Sequence, residues 1–403
     1  MFRYVTELKA LVIDADSFSF NVDLWEKLAG SFQLFFLTES DATEKLVCSM
    51  YGNNHVYKSS ERVLWPNQET HHVVLEKMSV HTTEIAYVSA DSTFLVKALG
   101  FMSGTILVRA EGMSYPEISI APDMFYGSLK SMESSLLSTG KGFSGEIMIN
   151  PLGKRGKQGA VMVPLRDGQY RIPIMVLGRY YGKHHYMYQL HPYSSAIFLN
   201  KQYGKRYYGI FDSMFAQLLS NSVAVLKKHF KIDCVCSVPP HPGKENRFLK
   251  ILNIISEQNG IKNIDDKFCC IKEYDTQKTS SEVDRQKNVK EAFSYTGNLQ
   301  GKNVVLIDDI ISTGATVKEC FRALKACGAK EIFVVVMAVN QLGGSYWCLE
   351  NPAVWCRDCG NKMYLTVNSR SKKFFYSCKC GRTLDYEKAY RQLIEKIDKE
   401  FNN

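Results

Sequence analysis

The sequence predicts an α/β protein: two units of alternating strand and helix, a β-rich connector between them, and a small cysteine-bearing module with a helix near the carboxyl end. Three observations predict it. Short apolar runs alternate with helix-period patterns over residues 1–110 and again over 206–345. Val304-Val305-Leu306-Ile307 runs into the adjacent acids Asp308 and Asp309, then into hydroxyls and a glycine ahead of a helical pattern. Cys356-Arg357-Asp358-Cys359 and Cys378-Lys379-Cys380 bracket an aromatic stretch within residues 346–403.

At 403 residues the chain is too long for one core and suggests two or three domains. Hydrophobic content of 45% and charged content of 23% describe an ordinary globular protein. Ile332 to Val339, the long apolar run near the C-terminal strands, is far shorter than a bilayer requires, so no membrane partner is expected. The amino terminus lacks the pattern of a signal or transit peptide, and cytoplasmic residence is the expectation. A net charge of +9, clustered at Lys154-Arg155-Lys157, Lys201-Lys205-Arg206 and Lys227-Lys228-Lys231, suits phosphorylated ligands and nucleic acid equally. Eight of the twelve cysteines sit in apolar contexts and read as reduced core residues.

Residues 1–110 carry strands at Lys9 to Asp14, Gln33 to Thr38, Glu84 to Ser89 and Thr105 to Arg109. The first ends in Asp14-Ala15-Asp16, two carboxylates that can share one Mg²⁺, one as nucleophile and one as acid/base. The second ends at Thr38, and the third is followed by Asp91. This order resembles the haloacid dehalogenase-like hydrolases over residues 8–109. The resemblance implies a Rossmann-like domain with Asp14 as nucleophile, Asp16 as acid/base and Thr38 as the phosphate-binding hydroxyl. It also implies Asp91 as a magnesium ligand beside Asp14 and Asp16, and Lys58 or Lys77 facing the phosphate. Ala90 stands before Asp91, Leu95 replaces a second acid, and Phe18 replaces a smaller residue. Weak, Asp14-dependent hydrolysis of a sugar or nucleoside monophosphate is the expectation; the alternative is a scaffold.

Residues 111–205 are richer in Gly and Pro, and Ala160 to Leu165, Tyr170 to Leu177 and His185 to Leu190 read as hairpin strands of a β subdomain. From 206 the α/β rhythm returns, with a helix over Ile210 to Lys228, a strand over Cys234 to Val238 and a loop forced by Pro239-Pro240-His241-Pro242-Gly243. The polar stretch Lys272 to Asn288 reads as a lid. The acid-pair strand follows, then a helix with Val317, Cys320, Phe321 and Leu324 on one face and Gly328 as its stop, then a strand over Ile332 to Val339.

The acid-pair loop lies where open α/β sheets bind ligands, between a strand's carboxyl end and a helix amino terminus. Backbone N–H groups of Ser312, Thr313, Gly314, Ala315 and Thr316 would cradle a phosphate dianion, while Asp308 and Asp309 would face the hydroxyls of a ribose. The segment resembles the phosphoribosyl-pyrophosphate loop of the type I phosphoribosyltransferases. Arg285-Gln286-Lys287-Asn288-Val289-Lys290-Glu291-Ala292-Phe293 is similar to the ComF-like branch, and that resemblance covers roughly residues 195–342. It implies that the acids hold the ribose 2- and 3-hydroxyls, that the loop wraps the 5-phosphate, and that the polar stretch, with Arg285 and Asn288, closes over substrate. Departing pyrophosphate needs cations and Mg²⁺, for which the 238–245 loop with Lys244, and Arg247 beyond it, is the candidate. Asn246-Arg247-Phe248-Leu249-Lys250 stands where many ComF-like chains have Arg-Gly-Phe-Asn-Gln, and their amino-terminal cysteine module lies here at the carboxyl end.

Cys356, Cys359, Cys378 and Cys380 give four thiolates on two tight turns, the donor set of a structural Zn²⁺ site. The module resembles a zinc ribbon, which implies nucleic acid, a protein partner or simple stapling as its role. The resulting expectation is an Mg²⁺-dependent phosphoribosyltransferase using phosphoribosyl pyrophosphate and an unidentified acceptor, coupled to dephosphorylation of its product, with oligomerisation left open. The alternative is a non-catalytic sensor of phosphoribosyl pyrophosphate or nucleotide.

Overall fold

The computed structural model describes residues 7–61, 65–111, 113, 115–120, 122–138, 143–149, 161–167, 170–274, 282–341 and 353–402. The first unit is built on β1 (Ala10–Asp14), β2 (Gln33–Thr38), β3 (Val56–Lys58), β4 (Ile85–Ser89), β5 (Gly104–Val108) and β6 (Met124–Tyr126). Its helices are α1 (Val22–Ala29), α2 (Asp41–Tyr51), α3 (Gln68–Met78), α4 (Ser92–Leu99), α5 (Tyr115–Ile118) and α6 (Leu129–Leu137). All its strand pairs are parallel, in the order β3-β2-β1-β4-β5-β6. Every residue of β1, β4 and β5 is buried, as expected of central strands covered on both faces. The order reverses between β1 and β4, and the crevice at that switch point is where Asp14 emerges.

The second unit follows α7 (Ser144–Ile149). Its strands are β7 (Val161–Asp167), β8 (Tyr170–Val176), β9 (Arg179–Tyr181), β10 (Cys234–Ser237), β11 (Lys262–Asn263), β14 (Asn303–Ile311) and β15 (Glu331–Gln341). Between β11 and β14 lies the separate antiparallel pair β12 (Phe268–Cys270) and β13 (Phe293–Tyr295). The helices are α8 (Pro192–Asn200), α9 (Asp212–Lys227), α10 (Leu249–Asn259), α11 (Glu282–Val289) and α12 (Ala315–Ala326). Sheet order is β11-β10-β14-β15-β8-β7, with β9 also pairing β15.

The connector differs from its expected form. β6 completes the first sheet, so the first unit runs past residue 110 to α6, whereas β7, β8 and β9 belong to the second sheet. β7 and β8 do form the antiparallel hairpin, but β8 and β9 dock in parallel on β15, so no independent β subdomain forms. Residues 186–190, read as a strand from their alternation, are a short 3-10 helix whose N-cap His185 accepts the Met187 N–H at 3.1 Å through its ring Nδ1. Cys269 is exposed rather than a core residue, while Cys234, Cys236 and Cys320 are buried and free. Lys154, Arg155, Lys157 and Cys348 lie outside the described residues.

The carboxyl-terminal module is a three-stranded antiparallel sheet of β16 (Tyr364–Val367), β17 (Phe374–Ser377) and β18 (Thr383–Asp385), followed by α13 (Tyr386–Asn402). It packs on the second unit: the Phe211 and Phe374 rings stack at 6.0 Å, the Leu365 N–H donates to Gln189 Oε1 at 2.9 Å, and the Tyr386 hydroxyl donates to the Leu190 carbonyl at 2.9 Å. α13 then reaches the first unit, where Thr83 Oγ1 donates to both Asp398 oxygens at 2.8 Å and Phe401 meets His71 edge-on at 5.6 Å. A second tie between the units is ionic. Buried Arg179 of β9 pairs with Asp123 ahead of β6 and with Glu146 of α7 at 2.7 Å. Asp123 also accepts the Thr105 N–H and hydroxyl at 3.0 Å, so β5 shares the cluster.

Candidate functional site

β14 lies between β10 and β15, and its apolar residues Val304 to Ile307 are fully buried. The strand continues through the acid pair to Ile311 rather than stopping at it, which fixes both acids on a rigid element. Successive side chains point to opposite faces. Asp309 therefore faces α8 and the loop before α10: its Oδ2 lies 2.7 Å from Arg247 Nη2 and 3.5 Å from Lys201 Nζ. Its carboxyl is held below the usual range because these cations outweigh the opposing effect of burial, Arg247 being the stronger. Asp308 moves the other way, pushed up by burial first and by the charge on Asp309 second. The two acids share one negative charge more readily than two, so cations or bound hydroxyls are needed to bring both to the ionised form.

Ser312 to Gly314 make the turn, and Gly314 is the N-cap of α12 in the left-handed region at φ 78°. A β-carbon there would lie 2.8 Å from Leu165 Cδ2 of the β7–β8 hairpin, so both conformation and space demand glycine. Gly314 has no side chain to cap α12, and the first helical N–H groups face the loop, that of Ala315 reaching the Thr313 hydroxyl at 3.5 Å. Tyr274 hydrogen-bonds Thr316 and packs against the His241 ring at 4.3 Å, joining the phosphate loop to the loop after β10.

That second loop is tied down by residues sequence reasoning missed. Asp265 accepts the Ser237 N–H at 2.9 Å and hydroxyl at 2.8 Å, and the Asn246 amide donates to both Ser237 Oγ and Asp265. Asn246 Oδ1 accepts the Phe248 N–H at 2.8 Å, which places Arg247 toward Asp309. Lys201 was also missed as a site residue, although its basic cluster was a signal. Lys244 sits exposed in the 241–244 turn, and no ion pair joins it to the acids among the described residues. Residues 282–289 of the polar stretch are helix α11, packed on α12, with Asn288 half-buried. The rest of that stretch, 275–281, and the Arg285 side chain lie outside what is described. Beside Asp309 lies a small cleft of about 20 Å³, walled by Tyr208, Phe215, Phe248 and Ile197, with Asn200 and Asp212 at one side.

The first unit treats its acids differently. Asp14 is fully buried, accepting hydroxyl donors from Ser17 and, at 2.7 Å, Ser89. Asp16 accepts the Thr38 hydroxyl at 2.6 Å and the Glu39 N–H at 2.7 Å. Asp91 is the N-cap of α4, accepting the Thr93 N–H at 2.8 Å. The structure thus brings Asp14, Asp16 and Thr38 to one edge, while two other expectations find no geometric support among the described residues. Among the described residues, Asp14, Asp16 and Asp91 do not converge as a metal-binding set. Lys58 pairs with Asp41 and, at 3.6 Å, Glu44, while Lys77 donates to the carbonyls of Asn53 and Val56, so neither lysine faces Asp14.

The four cysteines do converge, with all Sγ atoms within 4.8 Å. Cys356 and Cys380 are 3.6 Å apart, and Cys359 and Cys378 are 3.4 Å apart, close to the edges of a tetrahedron with metal–sulfur bonds of about 2.3 Å. Gly360 and Gly381 close the two turns at φ 69° and 92°. The Cys359 thiol is drawn down to about 6, chiefly by the Asn361 backbone N–H and then its amide, while the Cys378 and Cys380 thiols are pushed up beside it, so the four share charge unequally.

Comparison with known proteins agrees with the acid-pair loop. Residues 259–346 match the phosphoribosyl transferase domain, so the chain carries such a domain. A ribose-phosphate pyrophosphokinase of Staphylococcus aureus is 28% identical over 156 residues, 36% of this chain and 41% of that protein. Its counterpart in Saccharolobus solfataricus is 38% identical over 73 residues, 18% of this chain and 23% of that one. The chain therefore spans less than half the length of these curated relatives. Among solved structures, the purine phosphoribosyltransferase from Pyrococcus horikoshii aligns with a TM-score of 0.23 at 17% identity, covering 35% of this chain and 78% of that one.

Proposed function

We propose that the chain is an Mg²⁺-dependent transferase that uses phosphoribosyl pyrophosphate as donor. The observation that carries this reading is the acid pair held on β14 directly ahead of the Ser-Thr-Gly turn and the amino terminus of α12, inside the matched domain. Asp308 and Asp309 would accept hydrogen bonds from the ribose hydroxyls, and the 312–316 backbone would hold the 5-phosphate. Mg²⁺ would neutralise the diphosphate as it leaves. Arg247 and Lys201, released from Asp309 as the ribose hydroxyls replace them, are placed to receive that diphosphate, a role in which Arg247 takes precedence over the exposed Lys244.

Mass spectrometry of cell extract incubated with the protein, Mg²⁺ and isotope-labelled phosphoribosyl pyrophosphate tests this. A labelled ribosyl product absent from the Asp308→Asn/Asp309→Asn variant supports it; identical product profiles reject it. A parallel reaction with ribose 5-phosphate and ATP tests the activity named for the pyrophosphokinase relatives. The second reading, a sensor, draws on the cations already seated on Asp309, and tight binding of the donor without turnover would favour it.

For the cysteine module we propose one structural Zn²⁺ on Cys356, Cys359, Cys378 and Cys380. Metal analysis should find about one zinc per chain, lost in Cys356→Ser. For the first unit, coupled dephosphorylation of the product rests on sequence order alone, and the engagement of Asp14 by two hydroxyls favours a scaffold.

A further inference from the structure

The cysteine module has a second face that neither the transferase nor a structural zinc accounts for. Its sheet buries Val367, Phe374 and Tyr376 on one side, against the second unit and α13. Alternation places Tyr364 and Thr366 of β16 on the other side, joined by Phe375 and Ser377 through the register Thr366↔Phe375 and Tyr364↔Ser377. Ahead of β16, Trp355 pairs with Lys362 across an antiparallel bridge, and Lys362 lies two residues before Tyr364 with buried Met363 between them. Trp355, Lys362, Tyr364 and Phe375 therefore share the outward face. Trp355 is 56% exposed and Tyr364 46%, the two exposed large hydrophobics of this module among the described residues, on the same side of one small sheet.

Charge selects the occupant. Residues 353–385 hold seven basic side chains and two acidic ones, Asp358 and Asp385. Both acids are engaged: Asp358 pairs with Arg382, and Asp385 accepts the Lys388 N–H at 3.2 Å at the start of α13. Arg357 and Lys379 are exposed on the two cysteine turns. A protein partner docking on exposed aromatics does not require this excess of cations, and a flat sheet face with isolated rings does not fit the grooves of a duplex. Rings that stack bases, rimmed by cations that follow a phosphate backbone, fit a single strand.

We propose that the outward face of the module sheet binds single-stranded nucleic acid, with Trp355 and Tyr364 stacking bases and Lys362 contacting the backbone. The face lies on the module, whereas the donor loop lies on β14 and α12, so this inference stands whether or not the transferase reading does.

Fluorescence anisotropy of the full zinc-replete chain with labelled single strands of about 20 nucleotides, longer than a typical single-strand site, tests the proposal. One arm uses DNA, one RNA and one the corresponding duplex. Binding to a single strand should weaken with salt with a log–log slope of about −2 to −3, as three or four phosphates shed counterions. Trp355→Ala and Tyr364→Ala should each weaken it roughly tenfold, the loss of one stacked base, while Trp355→Phe retains most of it. Lys362→Glu should flatten the salt slope. Zinc content and Tm report whether each variant stays folded, and quenching of Trp355 fluorescence in the wild type, absent in Trp355→Phe, reports stacking without a disruptive change. No binding at low salt, preference for the duplex, equal affinity in the Trp355→Ala/Tyr364→Ala double variant, or no quenching at saturation overturns the proposal. Self-association that depends on Trp355, without strand binding, would assign the face to a second copy and overturn it as well.

Discussion

The two α/β units each place acids near the carboxyl end of a central parallel strand, β1 in one and β14 in the other, and treat them in opposite ways. In the first, Asp14 and Asp16 are satisfied by short neutral donors from Ser17, Ser89 and Thr38, and Asp14 is completely buried. In the second, Asp309 is balanced by the long cationic side chains Arg247 and Lys201, and Asp308 stays partly exposed. Hydroxyls inserted beside a carboxylate stabilise a fold. Long cations can swing away, because their charge is as well satisfied by an incoming phosphate. A pair of acids near the carboxyl end of a strand therefore says less about chemistry than the kind of partner each acid has found.

The sharpest test is the paired substitution at each site. Asp308→Asn with Asp309→Asn should abolish measurable donor binding by calorimetry, each lost charge-assisted contact contributing about 1.5–3 kcal/mol, with little loss of Tm. Unchanged affinity would remove the ribose assignment. A second test concerns His71, buried in the first unit, stacked on Phe101 at 4.3 Å and hydrogen-bonded to the Tyr87 and Thr82 hydroxyls. Burial pulls its pKa down to about 3, below the unfolded value, so its neutral form contributes stability that is complete above about pH 6.5 and erodes as pH falls toward 3. The loss should reach about 2–3 kcal/mol by pH 4.5 and shrink in His71→Gln, as read from denaturation midpoints at both pH values.

Asp14→Ala should cost about 1–3 kcal/mol of stability by orphaning two hydroxyls, while leaving donor affinity unchanged. Phosphate release from a panel of sugar and nucleoside monophosphates with Mg²⁺ should be equal in wild type and Asp14→Asn, reversing what the motif suggested; Asp14-dependent release would restore the hydrolase. The smallest expected effect is on the pH profile, read at Arg247 apart from the loss of its charge beside the diphosphate. Removing Arg247 lets the Asp309 carboxyl rise, so the acid limb of donor binding should move to higher pH in Arg247→Gln. An unmoved limb would mean that the pair at 2.7 Å has no hold on the acid.

Strands β1, β2, β4 and β14, and helices α9 and α12, were legible because each is a local pattern bounded by turn residues. The connector was not, because β8 and β9 find their partner in β15, more than 150 residues later, and local alternation cannot reveal which sheet a strand will join. The same limit applies to the site. Asp308 and Asp309 announce themselves in a contiguous motif, whereas Lys201 reaches them from α8's end, and Asn246 acts on Asp265 across 19 residues. The cysteine set was legible in full because its spacing is itself the geometry.

The contacts of α13 with the first unit bear on synthesis. Asp398 receives the Thr83 hydroxyl across 315 residues of sequence, and Phe401 covers the His71 ring that β4 and α3 leave at their edge. Ribosomes deliver the first unit's six strands early, but the groups that seal this edge emerge only with the last helix. A nascent first unit therefore waits with an apolar, titratable margin open, a window in which chaperone capture or a missed docking of α13 would decide the yield of folded protein.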